Sequence, residues 1–241
     1  MTNRTASEKF QELMIFGFMI LTLVLGGGRQ AGAQETTSYA SMAPLDHYLM
    51  ERDAEISLAR SGAPESISNN AEILVLTTRG YEAAAKGTNG FACMVERSWT
   101  AGLDFSEFWN PKIRSPICFN AAAVRSYLPI TITKTKLALA GKSKAQIFDA
   151  IEAALDKKEW PALEIGAMCY MMSKDGYLGD SAGHFHPHLM FFVPHMNADA
   201  WGANLPGSPI IAGEEVPNRM TVFLVPITKW SDGTPDPSVK P

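Results

Sequence analysis

Residues 71–99, AEILVLTTRGYEAAAKGTNGFACMVERSW, decide the type of fold that the sequence predicts. Two runs rich in apolar, aromatic and β-branched residues, at 71–78 and 90–99, are separated by RGYEAAAKGTN and its Gly-Thr-Asn-Gly turn signal. Short apolar runs bounded by turn-forming residues are typical of β-strands. We therefore predict that the two runs form a hairpin with an elaborate connection.

Three further β-rich runs lie towards the C-terminus, at 163–173, 186–193 and 221–228. The first two are separated by the turn signal Lys174-Asp175-Gly176. Strands that follow one another through short turns usually pair antiparallel. The sequence therefore predicts about five strands in one antiparallel sheet.

Helical patterns lie between these strand runs. Residues 44–60 carry apolar side chains at helical spacing, and Asn120 can cap a short helix that ends near residue 127. Residues 144–158 follow a capping box formed by Ser143 and Gln146. Strand runs and helices in separate parts of a chain are typical of α+β proteins. We predict an α+β fold in which helices pack on one side of the sheet.

Residues 1–33 have the organisation of a secretory signal peptide. Basic residues precede the apolar run LMIFGFMILTLVL at 13–25, and Ala31-Gly32-Ala33 fits an A-x-A cleavage site. The apolar run is shorter than the roughly 20 residues that a spanning helix needs. We predict a cleaved signal peptide at 1–33, a single globular domain at 34–241, and a periplasmic or secreted location.

The charge of the predicted mature chain restricts its partners. Removal of residues 1–33 takes away three basic and two acidic residues and changes the formal net charge from −4 to −5. Such a chain has no basic field that would attract nucleic acid or anionic lipid. We expect no nucleic-acid partner and no stable membrane insertion after cleavage, which leaves a small molecule or an envelope protein.

The chain contains three cysteines, which in an oxidising compartment suggest one disulfide and one remaining thiol. Cys93 in GFACMV and Cys118 in SPICFN lie in matched settings, at apolar segments next to turn-forming residues. Cys169 in GAMCYMM is typical of a small buried apolar residue. The pattern favours a Cys93–Cys118 bridge, although other pairings remain compatible with the sequence.

Four of the five histidines, His184, His186, His188 and His195, lie within twelve residues of one another. In an extended segment the first three would project from the same face, although His184 and His188 would be roughly 13 Å apart. Two histidines with a third ligand from elsewhere are therefore easier to combine. Imidazoles bind zinc, copper and iron. We predict that these four residues supply metal ligands, to zinc first and to copper or iron as alternatives. Hydrogen-bonded or surface histidines without a metal are the other interpretation.

Two carboxylates near this cluster are candidate catalytic residues. In a zinc hydrolase, a carboxylate that is not a ligand accepts a proton from the metal-bound water. Glu164 and Asp180 fit that role by sequence position. The sequence thus predicts an exported metal-binding protein, with metal-dependent hydrolysis as an activity it would support, and leaves open whether the protein is an enzyme.

The alternative function is a non-catalytic envelope module that binds a small ligand or another protein. Its binding face would combine the aromatic segment 105–109 with the loop that begins at Trp201. Residues of loops often carry binding functions.

Two short motifs near the histidines match known catalytic signatures only in part. Residues 179–183, GDSAG, fit the G-x-S-x-G pattern of hydrolase nucleophiles, but a turn precedes the serine where that motif requires a strand. G-D-S-x-G also resembles the serine loop of chymotrypsin-like proteases, for which His47 is the one upstream histidine. The segment HFHP followed by Asp199 resembles part of the core of the JAB/MPN zinc isopeptidases, but the intervening serine is missing. A glycine-rich hairpin loop is the simpler interpretation of residues 179–183.

Several phrases together resemble an uncharacterised family of exported bacterial proteins. They are GTNGF, VERSW, FWNPK, GAMCY and GHFHPH, which begin at residues 87, 95, 108, 166 and 183. The resemblance covers nearly the whole predicted mature chain. It implies a bacterial secretory setting and no particular activity, so it assigns no catalytic residues.

Overall fold

The computed structural model describes residues 39–181, 183–184, 186–215 and 218–237. The predicted signal peptide lies outside the described residues. Eight strands within these ranges form one sheet: β1 (Glu72–Thr77), β2 (Gly80–Ala85), β3 (Ala92–Glu96), β4 (Ser115–Phe119), β5 (Met168–Met171), β6 (His188–Pro194), β7 (Ile211–Glu215) and β8 (Met220–Pro226). Their order is β2-β1-β3-β4-β5-β6-β8-β7. The α+β class is confirmed, and the sheet is larger than the predicted five strands.

The described residues contain five α-helices. They are α1 (Arg52–Arg60), α2 (Glu65–Ser68), α3 (Ala121–Ser126), α4 (Leu128–Leu139) and α5 (Lys144–Asp156). The predicted capping box of α5 is present, and the Asn120 side chain caps α3. The helix predicted at 44–60 is instead a short 3₁₀ turn, Leu45–His47, followed by α1. None of the helices in the described ranges is both long and apolar enough to cross a membrane.

The prediction of a hairpin between residues 71–78 and 90–99 is wrong. β1 forms its hairpin with β2, which lies within the expected connection, and β3 then returns parallel to β1 with Ile73 opposite Cys93. The β-propensity of its sequence does not identify β2, because GYEAAA contains three alanines and alanine is uncommon in strands. The strand gains its hydrogen bonds from β1, and the Tyr81 hydroxyl donates to the Val95 carbonyl across the sheet.

Helices cover both faces of the sheet, so the prediction of helices on one side is also wrong. On one face Met94 and Phe119 pack in a core with residues of α3 and α4, whereas on the other face Val95 and Cys118 pack with Ala59 of α1. Successive residues of a strand point to opposite faces, which accounts for the two cores.

The favoured disulfide is present. Cys93 and Cys118 are directly opposite on the antiparallel strands β3 and β4 and are bonded to each other. Cys169 is buried with a free thiol and lies directly opposite Phe119 on the neighbouring strand. Cys169 and Phe119 point to one face of the sheet, whereas Cys118 points to the other. The remaining thiol is therefore separated from the disulfide by the sheet itself.

Candidate histidine site

The histidine segment lies where β5 ends and β6 begins, against the last described part of the chain. Met171 at the end of β5 is directly opposite His188 at the start of β6. The Ile227 amide donates to the Pro187 carbonyl, and the Ser231 amide donates to the Met172 carbonyl. The segment after β8 therefore runs beside the histidines and supplies side chains to the site.

A short hairpin loop precedes His184 and is held by a buried carboxylate. Glu107 accepts hydrogen bonds from the backbone amides of Asp180 and Ser181 and from the Ser181 hydroxyl. Gly179 has a φ of 148°, and a Cβ there would lie 2.9 Å from Glu107 Oε2. The Ser181 hydroxyl donates to Glu107 Oε1 over 3.0 Å, so the serine of the G-x-S-x-G match is hydrogen-bonded to a carboxylate.

His184 is exposed but its ring is held in place. Nδ1 lies 2.8 Å from the Gly176 carbonyl oxygen, and the ring stacks on Trp230 with centroids 4.9 Å apart. A carbonyl oxygen only accepts hydrogen bonds, so Nδ1 carries the proton. Nε2 is therefore the basic nitrogen of the neutral ring.

His186 is oriented by a buried carboxylate. Its Nδ1 lies 2.7 Å from Oδ2 of Asp236, whose side chain is 3% exposed while that of His186 is 45% exposed. A carboxylate that accepts from Nδ1 fixes both the ring orientation and the tautomer of a histidine.

His188 is buried, with 3% of its surface exposed. Its Nδ1 lies 2.7 Å from the carbonyl oxygen of His186. Burial lowers the pKa of His188 to about 4, so the ring is neutral at physiological pH. All three histidines thus share one arrangement, in which Nδ1 donates to an oxygen and Nε2 is the basic nitrogen.

A cleft brings two of these histidines together. His184 and His188 both line this cleft. The other residues that line it are Pro116, Met171, Ser173, Gly176 and Leu178. Among the residues that the structure describes, no three His, Cys, Asp or Glu side chains are grouped as a metal site would require. The set predicted from sequence is therefore not preassembled in that part of the chain.

The structure does not bring His195 to this cleft. His195 follows the far end of β6, where its amide donates to the Arg219 carbonyl. Six extended residues lie between it and His188, so the two histidines are roughly 23 Å apart along the strand.

The two predicted catalytic carboxylates also have other partners. Both oxygens of Glu164 accept from Arg125, at 2.8 and 2.6 Å, and these hydrogen bonds lower its pKa. Glu164 precedes β5, whereas the cleft lies at the other end of that strand.

Asp180 accepts hydrogen bonds from Tyr177, Tyr39 and Lys112. These three donors, with Tyr177 first, lower its pKa to about 2. An acid this strong is a poor proton acceptor near neutral pH. Its role in the structure is to tie Tyr39, near the start of the described chain, to the hairpin loop.

Part of the predicted aromatic binding face is buried. Phe108 and Trp109 are 1% and 6% exposed and pack in the core with Phe148. Segment 105–109 therefore cannot present these rings to a partner. Trp201 is 42% exposed and stacks on Phe223, with centroids 4.2 Å apart.

Three residues of the site were not predicted from the sequence. Asp236 and Trp230 lie in a polar C-terminal segment with no periodic pattern, and Met171 reads as an ordinary apolar strand residue. A local signal for Asp236 is absent, because its partner His186 is fifty residues away.

No family model, curated protein or solved structure matches this chain. Its function is therefore inferred from the geometry of the histidine site.

Proposed function

We propose that this chain is an exported protein that binds one transition-metal ion in the cleft, with Nε2 of His184 and of His188 as ligands. The observation that carries the proposal is the shared hydrogen bonding of Nδ1 to oxygen atoms. Histidines that bind metals nearly always donate their other ring N–H to a carbonyl or a carboxylate, which fixes the orientation and the tautomer of the ring.

The cleft supplies the second line of support. His184 and His188 reach it from the two ends of one short segment, and His188 is held there by the His186 carbonyl. His186 is in turn hydrogen-bonded to Asp236, so a continuous series of hydrogen bonds runs from the Asp236 carboxylate through His186 to His188. Such a chain of contacts limits the movement of the ligands and reduces the entropy lost on binding.

Export is supported by the pattern of residues 1–33 and by the disulfide. Disulfides persist mainly in oxidising compartments such as the bacterial periplasm.

The test is elemental analysis of mature protein purified without a histidine tag and reconstituted separately with zinc, copper and iron. We expect about one ion per chain, with loss of that ion in His184→Ala and in His188→Ala, since each removes a ligand. His195→Ala is the matched control and should keep the ion. Wild-type protein that binds no metal after reconstitution, or histidine variants that keep it, would contradict the proposal.

Metal-dependent hydrolysis is a second candidate, and the Asp236–His186 pair favours it. His186 does not line the cleft, so it would accept a proton from the metal-bound water through one intervening water, which a half-exposed imidazole oriented by a buried carboxylate can do. Zinc-loaded protein should hydrolyse p-nitrophenyl acetate or p-nitrophenyl phosphate, and His186→Gln should lose this turnover while keeping its zinc. Turnover equal to that of free zinc, or unchanged in the variant, would exclude this role.

A further inference from the structure

A thioether lies beside the two histidines of the cleft. Met171 is directly opposite His188 in the antiparallel pairing of β5 with β6, and both residues line the cleft with His184. Directly opposite residues project from the same face of a sheet, with Cβ atoms about 5 Å apart. The long, unbranched Met171 side chain can therefore reach an ion that is bound by His188.

Ligand type determines which metal such a site selects. Thioether sulfur is a soft ligand that selects Cu(I), whereas zinc takes nitrogen, thiolate and carboxylate ligands. The absence of a preassembled group of three His, Cys, Asp or Glu side chains among the described residues is compatible with this set, because its third member is a methionine.

We propose that the ion bound in this cleft is Cu(I), held by Sδ of Met171 and by Nε2 of His184 and His188. This inference rests on the proposed function and names its metal. Cu(I) is stable at a low coordination number, so these ligands complete the site.

The surroundings of the cleft fit a singly charged, soft ion. Pro116 and Leu178 contribute apolar surface, and none of the described lining residues is a carboxylate. Transfer of a charge into such surroundings costs free energy. The cost rises with the charge of the ion, so Cu(I) is favoured over a divalent ion.

The cysteines do not provide a better copper site. Cys93 and Cys118 are consumed by the disulfide. Cys169 is fully buried on β5, two residues before Met171, and it does not line the cleft. Its removal is therefore an informative control.

The experiment is a competition for Cu(I) between the tag-free mature protein and bicinchoninate, in the presence of ascorbate. Wild-type protein should withdraw about one Cu(I) per chain. Met171→Leu keeps the size and apolarity of the side chain but removes the sulfur, so the Cu(I) affinity should fall at least about ten-fold. About ten-fold is the smallest loss that is typical when a group that only supports a metal ligand is removed. Zinc affinity of the same variant should be unchanged.

Two matched variants complete the test. Met190→Leu removes a thioether on β6 that does not line the cleft, and Cys169→Ala removes the free thiol. Both should bind Cu(I) like the wild type, and X-ray absorption of the copper-loaded protein should show one sulfur neighbour that Met171→Leu loses.

The outcomes separate this inference from the proposed function. If zinc binds and depends on His184 and His188 but Met171→Leu binds Cu(I) as tightly as the wild type, the copper assignment is wrong and the metal site stands. If neither metal binds, both are wrong. If Cys169→Ala alone abolishes Cu(I) binding, copper is held by the thiol and the assignment to Met171 is overturned.

Discussion

Glu96 is a carboxyl group at the centre of a buried region. It is 9% exposed on β3, and Thr131 donates to its Oε1 over 3.2 Å. Burial raises its pKa from 4.5 to about 7, while the charge of Lys134 lowers this pKa and the charge of Glu215 raises it. The protonated form is therefore favoured in the folded chain over a range of pH in which the unfolded chain would lose the proton.

We predict that Glu96 lowers the free energy of unfolding as the pH rises. Because the folded pKa lies above the unfolded pKa, the contribution of Glu96 is fully present below about pH 4.5 and is lost as pH rises through about 7. The loss amounts to roughly 3 kcal/mol at most. In urea unfolding, Glu96→Gln should exceed the wild type in stability at pH 8 and differ little at pH 4.5.

The exposed carboxylate Glu82, which pairs with Arg79 on the surface, gives the control variant Glu82→Gln. That substitution should leave the pH dependence unchanged. A Glu96→Gln variant with the same loss of stability between pH 5 and pH 8 as the wild type would refute the assignment.

At the level of elements, β7 is an edge strand in the described sheet, where it pairs with β8 only. Edge strands expose backbone groups that can pair with another chain. Here the Asn204 side chain accepts from the Ala212 amide and donates to the Ala212 carbonyl, each at 3.0 Å. One amide side chain thus takes the place of a neighbouring strand.

Asn204 has a φ of 60°, a conformation that glycine also adopts without strain. Asn204→Gly should therefore keep the backbone but lose both hydrogen bonds, at a cost of about 1–2 kcal/mol. We expect a lower urea midpoint and more self-association by light scattering. Leu205→Ser, at an exposed position of the same loop, should change neither, and equal behaviour of the two variants would disprove a role in protecting the edge.

For the molecule as a whole, the disulfide joins β3 to β4 in the middle of the sheet. The bridge spans 25 residues, and closure of such a loop stabilises the folded state by about 3 kcal/mol. The double variant Cys93→Ala/Cys118→Ala should lose stability of this order in urea unfolding.

Thiol titration checks the pairing directly. Wild-type protein should show one thiol per chain after unfolding without reductant and almost none when folded, because Cys169 is fully buried. Cys169→Ala should show none in either state. Two or more thiols in the unfolded wild type would contradict the bridge.

The elements that the sequence predicted well depend on short-range chemistry. The capping box of α5 joins residues three apart, and the strand at 186–193 differs from β6 by two residues at its start. The arrangement of elements was predicted less well, because β2 forms only through pairing with β1 and because the parallel return of β3 depends on long-range contacts.

The candidate site divides in the same way. The histidine cluster was visible because His184, His186 and His188 are close in sequence, but the residues that orient or extend it are not. Asp236 and Trp230 come from a segment about fifty residues later, and Met171 comes from the neighbouring strand.

The sequence alone therefore determined the fold class and the place of the histidines, and it favoured the Cys93–Cys118 pair, since each follows from local pattern and residue type. The tertiary structure decided which face each core occupies, which tautomer the histidine hydrogen bonds impose and which side chains share the cleft. The physical reason is that periodicity records which side of an element is apolar, whereas the choice of distant partner depends on packing and hydrogen bonds across the whole sheet.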